Sequence, residues 1–175
     1  MVRSAGPRDV LDALPRTAKR VRSVIEDVVA CEGPIHHERL AKLVGSAFGL
    51  SRVTSSRAAS VLALLPSSMA GDRGEPFAWP PELDHRSWKG FRRAAEGTAR
   101  PIEYIPLREM ANAMVALAGT AYGIREDELL RETLLLFGGK ALTQGTRSRL
   151  DEGLRSAIAA GRLAEREGLI VVAER

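Results

Sequence analysis

Cysteine is nearly absent from the sequence, and its scarcity excludes two kinds of structural support. The single cysteine, Cys31, cannot form an intramolecular disulfide, and no cysteine cluster exists that could hold zinc. A chain with one thiol is typical of a reducing compartment, so we expect a cytoplasmic protein. Position 31 falls on the apolar side of a predicted helix, and we therefore expect Cys31 to be a small buried hydrophobe.

Long apolar runs are missing as well. No segment approaches the ~20 consecutive apolar residues that a membrane-spanning helix needs, so no membrane partner is expected. The N-terminus lacks the apolar core of a signal peptide, and residues 1–15 mix Arg, Asp, Gly and Pro, which predicts a flexible tail. Aromatic residues make up only 5%, but apolar residues in total make up 45%, which is enough for a packed core.

The excess of positive charge is small and lies in one half of the chain. Lys and Arg number 26 against 22 Asp and Glu, a net charge of +4. Residues 1–100 carry 16 basic and 11 acidic side chains, a net of +5, whereas residues 101–175 carry 10 and 11, a net of −1. The first half is therefore the expected partner of a polyanion, although a net of +5 is equally what ordinary solubility requires.

An internal repeat with an offset of 89 residues is the most informative pattern. Phe48-Gly49 falls on Phe137-Gly138 at this offset, and Thr54 falls on Thr143. The helical stripes that also align, with apolar residues three and four positions apart, are Val21, Val24, Ile25, Val28 and Val29 in the first copy and Met110, Ala113, Met114, Leu117 and Ala118 in the second. One constant offset over separate segments predicts two copies of one structural unit.

Each copy is predicted to contain three helices, and the second ends in a hairpin. The helices are expected at about 17–31, 36–47 and 55–65 in the first copy and at about 107–121, 126–136 and 145–160 in the second. Residues 162–165 and 169–172 flank a turn with Gly168, which is a β-hairpin signature. The wing of the first copy is less clear, with one short apolar strand at 77–79.

The predicted fold class is mainly α with small β-hairpin wings, arranged as a tandem winged helix-turn-helix repeat. The first unit would span 16–80 and the second 107–175. Residues 81–106, with three prolines and a basic-aromatic run, would form the linker.

The second copy resembles the uncharacterised C-terminal domain of large bacterial superfamily-one helicase proteins, which often also carry a small endonuclease domain. The residues that carry the resemblance are Ile105, Pro106, Leu107, Arg108, Glu109, Met110, Ala111, Asn112 and Ala113, then Leu129, Phe137, Gly138 and Thr143, and last Gly161, Arg162 and Leu163. In the first copy, Glu32-Gly33-Pro34-Ile35-His36 marks the end of one helix and the start of the next. The resemblance implies an association with DNA processing and with helicase or nuclease domains, and it transfers no catalytic residue.

Candidate nucleic-acid-binding residues lie around the third helix of each copy, because such a helix enters the major groove in helix-turn-helix proteins. They are Arg52, Ser55, Ser56 and Arg57 in the first copy and Lys140, Thr143, Arg147 and Arg149 in the second. No acidic residue lies between Ser51 and Leu65, whereas Asp151 and Glu152 follow in the second copy, so the first copy is favoured. Alternatively, these residues are only helix caps and solvated faces.

A basic-aromatic run in the predicted linker adds four more candidates. Its basic residues are Arg86, Lys89, Arg92 and Arg93, interleaved with Trp88 and Phe91. The run could hold a phosphate backbone or stack an unpaired base. Alternatively, the two aromatic residues pack a linker helix between the copies.

Catalysis is not predicted. No Ser-His-Asp or Cys-His arrangement and no phosphate-binding loop ending in Gly-Lys-Ser/Thr is visible, and His36 and His37 are read as polar residues at a helix start, not as a metal pair. We expect no enzyme, cofactor or metal. The expected function is a DNA-binding accessory module that makes phosphate contacts beside a helicase or nuclease. The alternative is a protein–protein docking or dimerisation module of winged-helix type, with Met110 and Leu135 as exposed apolar candidates in its second copy.

Overall fold

The computed structural model describes residues 17–71 and 74–173, and the expected tail at 1–15 lies outside them. The chain is mainly helical and divides into two compact units between His85 and Arg86. No helix in the described residues is long and apolar enough to cross a membrane.

The first unit contains three helices and a small antiparallel sheet. The helices are α1 (Ala18–Glu32), α2 (His37–Ala47) and α3 (Ser55–Leu62), and the strands are β1 (Ile35–His36) and β2 (Phe77–Ala78). Ile35 pairs with Ala78, and Ala78 also bridges Ala70, so three backbone segments meet at this point. The bridge between Ala70 and Ala78 is the strand pairing that could not be placed from the sequence.

Apolar spacing and helix caps explain the helices of the first unit. Val21, Ile25 and Val29 recur every four residues and are completely buried in α1. Thr54 caps α3, because its hydroxyl accepts a hydrogen bond from the Arg57 amide at 3.3 Å. Gly49, with a φ of 75°, ends the turn after α2 in the left-handed conformation that glycine adopts readily.

The second unit contains three further helices and a hairpin. The helices are α4 (Leu107–Ala121), α5 (Glu126–Leu136) and α6 (Gln144–Ala159), and the strands are β3 (Leu163–Arg166) and β4 (Leu169–Val172). The two strands are antiparallel, Glu165 faces Ile170, and Ile170 also bridges Ile124. The predicted bounds of α4 and α5 are therefore confirmed, and those of α6 differ by one residue at each end.

The helix bounds reproduce the offset of 89 residues. The helices α1 and α4 both have 15 residues, α2 and α5 both have 11, and α3 and α6 each begin directly after a threonine cap. The third helices differ, because α3 has 8 residues and α6 has 16. Helix α3 ends at Leu62, three residues before the expected end, where Pro66 and a short 3₁₀ turn at Ser67–Met69 follow.

Residues 86–106, which the sequence analysis placed in a linker, belong to the second unit. The segment contains no α-helix, only a 3₁₀ turn at Ile102–Tyr104. The Asn112 side chain donates to the Gly90 carbonyl at 2.6 Å and to that of Trp88 at 3.1 Å. The amides of Ala94 and Arg100 donate to the carbonyls of Leu136 and Phe137 at the end of α5. The two amides thereby give hydrogen-bond partners to carbonyls at the end of α5, which have no partner within the helix.

Two burial predictions are wrong. Cys31 is exposed, because it lies two residues after the buried Val29 and two residues turn a helix by more than half a circle. Met110, an exposed docking candidate in the sequence analysis, is completely buried in the core of the second unit, and Gly153 of α6 packs closely against it. Leu135 is half exposed, as expected.

Candidate nucleic-acid interface

The start of α3 presents hydroxyl groups and amides without a carboxylate. Arg52, Ser55 and Ser56 are exposed, Arg57 is half-buried, and the first turn of the helix contains no acidic residue. The free amides and the positive end of the helix dipole at this position favour a negatively charged ligand. The same turn carries the residues that the sequence analysis selected in the first copy.

A groove of about 530 Å³ lies beside this turn, between α2 and α3. His36 caps α2, since its Nδ1 accepts a hydrogen bond from the Glu38 amide at 3.2 Å. His37 points its Nε2 into a buried position where that atom has no hydrogen-bond partner in the described part of the chain. Burial, and then the electrostatic interaction with His36, lower the pKa of His37, against a smaller opposite effect of a hydrogen bond with the Phe77 backbone. The imidazole is therefore held toward its neutral form.

In the corresponding turn of α6, the arginine is paired with carboxylates of α5. Arg147 donates to the Asp127 carboxylate at 2.6 Å and lies 3.7 Å from that of Glu126. The hydrogen bond and charge of Arg147 lower the pKa of Asp127, and Asp127 in turn raises the pKa of Arg147. The first turn of α5 carries three acidic residues, whereas that of α2 carries only Glu38. The two units therefore differ in charge on the same face.

Of the remaining candidates at α6, one is ion-paired, one caps the helix and one is exposed. Arg149 contacts Glu152 at 2.8 Å and donates to the Ile105 carbonyl at 3.4 Å. Thr143 is the helix cap, with its hydroxyl accepting from the Thr146 amide at 3.3 Å. Lys140 is exposed.

In the basic-aromatic run, one arginine is engaged in the core and three cations are exposed. Arg92 bonds to the Glu109 carboxylate through its backbone amide at 2.9 Å and through its guanidinium at 3.3 Å. Arg86, Lys89 and Arg93 are exposed. Phe91 packs against the hydrophobic core, which favours the packing role for this residue, and no linker helix is formed.

Glu109 anchors this run and was not identified from the sequence. Its carboxylate is completely buried and is bonded to Arg100 at 2.6 and 2.9 Å as well as to Arg92. Burial acts to raise the pKa of the Glu109 carboxyl, but the hydrogen bonds and charges of Arg100 and Arg92 outweigh it, and the pKa lies below its ordinary value. The partners lie 9 and 17 residues away in an irregular segment, so no helical or strand spacing reveals them.

Seven of the nine candidate cations fall into two groups, and Arg57 and Arg86 belong to neither. Arg92, Arg147 and Arg149 are bonded to carboxylates. Arg52, Lys89, Arg93 and Lys140 are exposed and make no hydrogen bond or ion pair with any residue in 17–71 or 74–173. A cation that already has a carboxylate partner gains less from a phosphate, because the existing pair must first be broken.

Comparison with known proteins gives one partial match. The family described as "Protein of unknown function (DUF3320)" matches residues 13–59, which cover α1, α2 and the first turn of α3. No curated protein and no solved structure matches the chain. The family description supplies no activity, so a function has to be inferred from the residues themselves.

Proposed function

We propose that the chain is a nucleic-acid-binding module built from two winged helix-turn-helix units. In such a unit, three helices precede a β-hairpin, and a short strand after the first helix joins the hairpin. The contacts of Ile35, Ala78 and Ala70 in the first unit, and of Ile124, Ile170 and Glu165 in the second, support this topology.

The observation that carries the proposal is the start of α3, which is exposed and free of acidic residues. Arg52 and the hydroxyls of Ser55 and Ser56 are donors to phosphate oxygens, and no carboxylate in this turn repels the backbone of a nucleic acid. Lys89 and Arg93 supply further exposed cations in the second unit. Contacts of this kind bind DNA with little dependence on base sequence.

The cellular role that we propose is that of an accessory domain beside a helicase or nuclease. It rests on the resemblance of the residues around Leu107–Ala113, Phe137-Gly138 and Gly161–Leu163 to the helicase-associated domain. In this role the chain performs no catalysis itself, and it positions DNA for its partner.

Fluorescence anisotropy with labelled double- and single-stranded DNA at several salt concentrations tests the proposal. The test variant removes three exposed cations, by Arg52→Gln, Lys89→Gln and Arg93→Gln. The control removes three cations that are already bonded to carboxylates, by Arg39→Gln, Arg147→Gln and Arg149→Gln. Both variants lower the net charge equally, so they separate the effect of the exposed, unpaired cations from that of general charge.

We expect the test variant to bind more weakly than the control. For each phosphate that the variant no longer neutralises, the plot of log affinity against log salt becomes shallower by about 0.9 for duplex DNA. If the two variants bind equally weakly, net charge alone drives binding and the three exposed cations make no specific contact with DNA. If the wild-type chain fails to bind either DNA at low salt, the proposal is wrong for this chain.

A second candidate function, protein docking, is favoured by one observation in the second unit. Among the described residues, the large hydrophobic side chains that are exposed all belong to that unit: Tyr122, Leu135, Ile158, Leu169 and Val172. Tyr122 is 94% exposed and adopts a φ of 55°, an uncommon conformation for a residue other than glycine. Gly123, the residue after Tyr122, lies beside Leu169, and adjoining exposed apolar residues mark interaction surfaces. Sedimentation velocity on the wild-type chain and on Tyr122→Ser tests for self-association through this unit, which would be absent in the variant.

A further inference from the structure

A groove of about 460 Å³ lies in the second unit, between the segment 94–99 and the C-terminal end of α5. This α5 groove brings together two residues that the sequence analysis assigned to different functions, Lys140 as a nucleic-acid contact and Leu135 as a docking residue. Leu135 is half exposed and Lys140 is exposed. The volume is that of a site for one small group, because ligand pockets are commonly about 300–1,000 Å³.

Hydrogen bonds fix the two walls of the α5 groove to each other. The amides of Ala94 and Arg100 donate to carbonyls at the end of α5, so the segment is tied to the helix on both sides of its turn. Within the turn, the Ala95 carbonyl accepts from the Thr98 amide at 3.0 Å and from the Thr98 hydroxyl at 2.7 Å. The groove is therefore formed before a ligand binds, which lowers the entropy that binding must offset.

Small residues make up most of the lining of the α5 groove. Gly97, Gly138 and Gly139 bring no side chain to it, and open space surrounds the position where a side chain of Gly97 would begin. Leu135 is the large apolar side chain among the lining residues. Backbone and one aliphatic side chain together form a surface that a flat, weakly polar ring can contact closely.

The unpaired charge at the α5 groove is mainly positive. Lys140 makes no ion pair with any described residue, although the carboxylate of Glu96 lines the same groove. Arg93, which directly precedes the segment 94–99, is also exposed and unpaired. From residue 137 to residue 150 the chain contains no acidic residue. These charges complement a polyanion.

The first unit does not repeat these residues. The positions 89 residues before Leu135 and Lys140 are Ser46 and Ser51, and both serines are exposed. The apolar contact and the cation are therefore properties of the second unit and not of the repeated fold. At the start of α6, in contrast, Arg147 is already bonded to a carboxylate. The α5 groove is thus the place in the second unit where an unpaired cation and an apolar surface meet.

We propose that the α5 groove binds one unpaired base of a single-stranded nucleic acid, and that Lys140 binds an adjoining phosphate. An unpaired base offers flat faces that stacking covers in a duplex, and apolar side chains can contact such faces. The Lys140 ammonium donates to phosphate oxygens. The inference rests on the proposed function, and it adds single strands as the ligand of the second unit.

Methyl NMR of the full chain with ¹³C-labelled leucine tests the contact directly. The probes are single-stranded oligodeoxyadenylate and an abasic oligonucleotide of the same length, which keeps the phosphates and lacks the bases. We expect the Leu135 methyl signals to shift upfield and to saturate with oligodeoxyadenylate alone, because the ring current of a base acts on methyl groups that lie against its face. The methyl signals of Leu169, which is exposed on the hairpin, should stay in place. The variant Leu135→Ala assigns the signals.

Oligonucleotide affinity of matched variants gives a second readout. Leu135→Ala should weaken the binding of oligodeoxyadenylate about fivefold or more and leave duplex binding unchanged. Lys140→Met, which keeps the apolar stem, should make the salt dependence of single-strand binding shallower by about 0.7. Arg131→Met removes an exposed cation of α5 outside the groove and should retain the salt dependence of the wild type.

The proposal is overturned if oligodeoxyadenylate binds while the Leu135 signals stay unchanged, or if the abasic oligonucleotide shifts them equally. Either result leaves the proposed function standing, because the Arg52, Lys89 and Arg93 variant decides that function independently. A wild-type chain that binds no oligonucleotide contradicts both. Because the methyl readout uses the wild-type chain, it holds even where a variant is unstable.

Discussion

The buried carboxylate of Glu109 accepts a hydrogen bond from Nη1 of Arg100 at 2.6 Å and fixes the irregular segment before α4 to that helix. Arg92 adds its backbone amide and its guanidinium to the same carboxylate. The two arginines remain partly exposed, whereas the carboxylate is completely buried. The position of Lys89 and Arg93, which flank this contact in sequence, therefore depends on one charged group in the core.

Replacing Glu109 by glutamine should destabilise the second unit. Glu109→Gln keeps the size of the side chain but leaves two arginines beside a neutral amide, and breaking a buried pair costs about 3–5 kcal/mol. Urea denaturation followed by Trp88 fluorescence in a Trp79→Phe background measures the loss. The control, Glu152→Gln, removes an exposed carboxylate paired with Arg149 in the same unit and should cost below about 1 kcal/mol. Equal losses in the two variants would contradict the anchoring role of Glu109.

The same carboxylate should make the second unit sensitive to acid. Its pKa in the folded chain lies below its ordinary value, so the folded state binds fewer protons than the unfolded chain. The stabilisation is therefore complete above the ordinary glutamate pKa of about 4.3 and is lost as the pH falls through the lower folded pKa. In Glu109→Gln this part of the pH dependence is absent. The Trp88 unfolding midpoint against pH, measured for both chains, checks the difference.

Gly138 should not tolerate a side chain. It adopts a φ of 83°, and an added Cβ would overlap the Thr98 carbonyl oxygen and the backbone of Ala99. Gly97 has a φ of 74° but open space around it, so Gly97→Ala carries only the conformational cost of about 1 kcal/mol. We expect Gly138→Ala to cost about 2–4 kcal/mol, since overlap with the 94–100 segment adds to the same conformational cost. Comparable unfolding free energies for the two variants would show that the segment does not pack on α5 as described.

The sequence predicted most of the local structure because helical periodicity and caps are local signals. The stripe from Met110 to Ala118 and the Phe137-Gly138 pair gave the bounds of α4 and the end of α5 correctly. The sequence did not predict the ion pairs of Glu109 with Arg92 and Arg100, because no spacing rule applies to charged residues in an irregular segment. Cys31 was misplaced although the spacing rule applied to it, because position 31 lies two residues after Val29 and therefore on the opposite side of α1 from the apolar stripe.

The ion pairing of the candidate residues was harder to predict than their position along the helices. Arg147 and Arg52 lie near the start of corresponding helices and are alike in sequence terms. Only the fold brings Asp127, on the preceding helix, within 2.6 Å of Arg147. The acidic first turn of α5 was visible in the sequence, but its contact with α6 is a tertiary relationship.

His37 should make the first unit lose stability below neutral pH. Its pKa is lowered by burial, so the unfolded chain binds the proton more readily than the folded chain. The free energy of unfolding therefore falls as the pH drops from about 6.5 to the lower folded pKa. The urea midpoint of Trp79 fluorescence, measured in a Trp88→Phe background at about pH 7.5 and 5.5, should fall less in His37→Gln than in the parent chain. A flat response of the parent chain would contradict the burial argument.

Releasing Arg147 from its partner should increase nucleic-acid binding by the second unit. In Asp127→Asn, the guanidinium loses its charged acceptor at 2.6 Å, and one negative charge leaves the face that corresponds to the α3 face of the first unit. If phosphate contacts drive binding, the affinity for DNA should rise and the salt dependence should steepen by up to about 0.9. Glu26→Gln removes the same charge from the exposed side of α1 and controls for net charge. A gain in Asp127→Asn that is no larger than in Glu26→Gln would mean that pairing does not limit Arg147, and that the two units differ in binding for another reason.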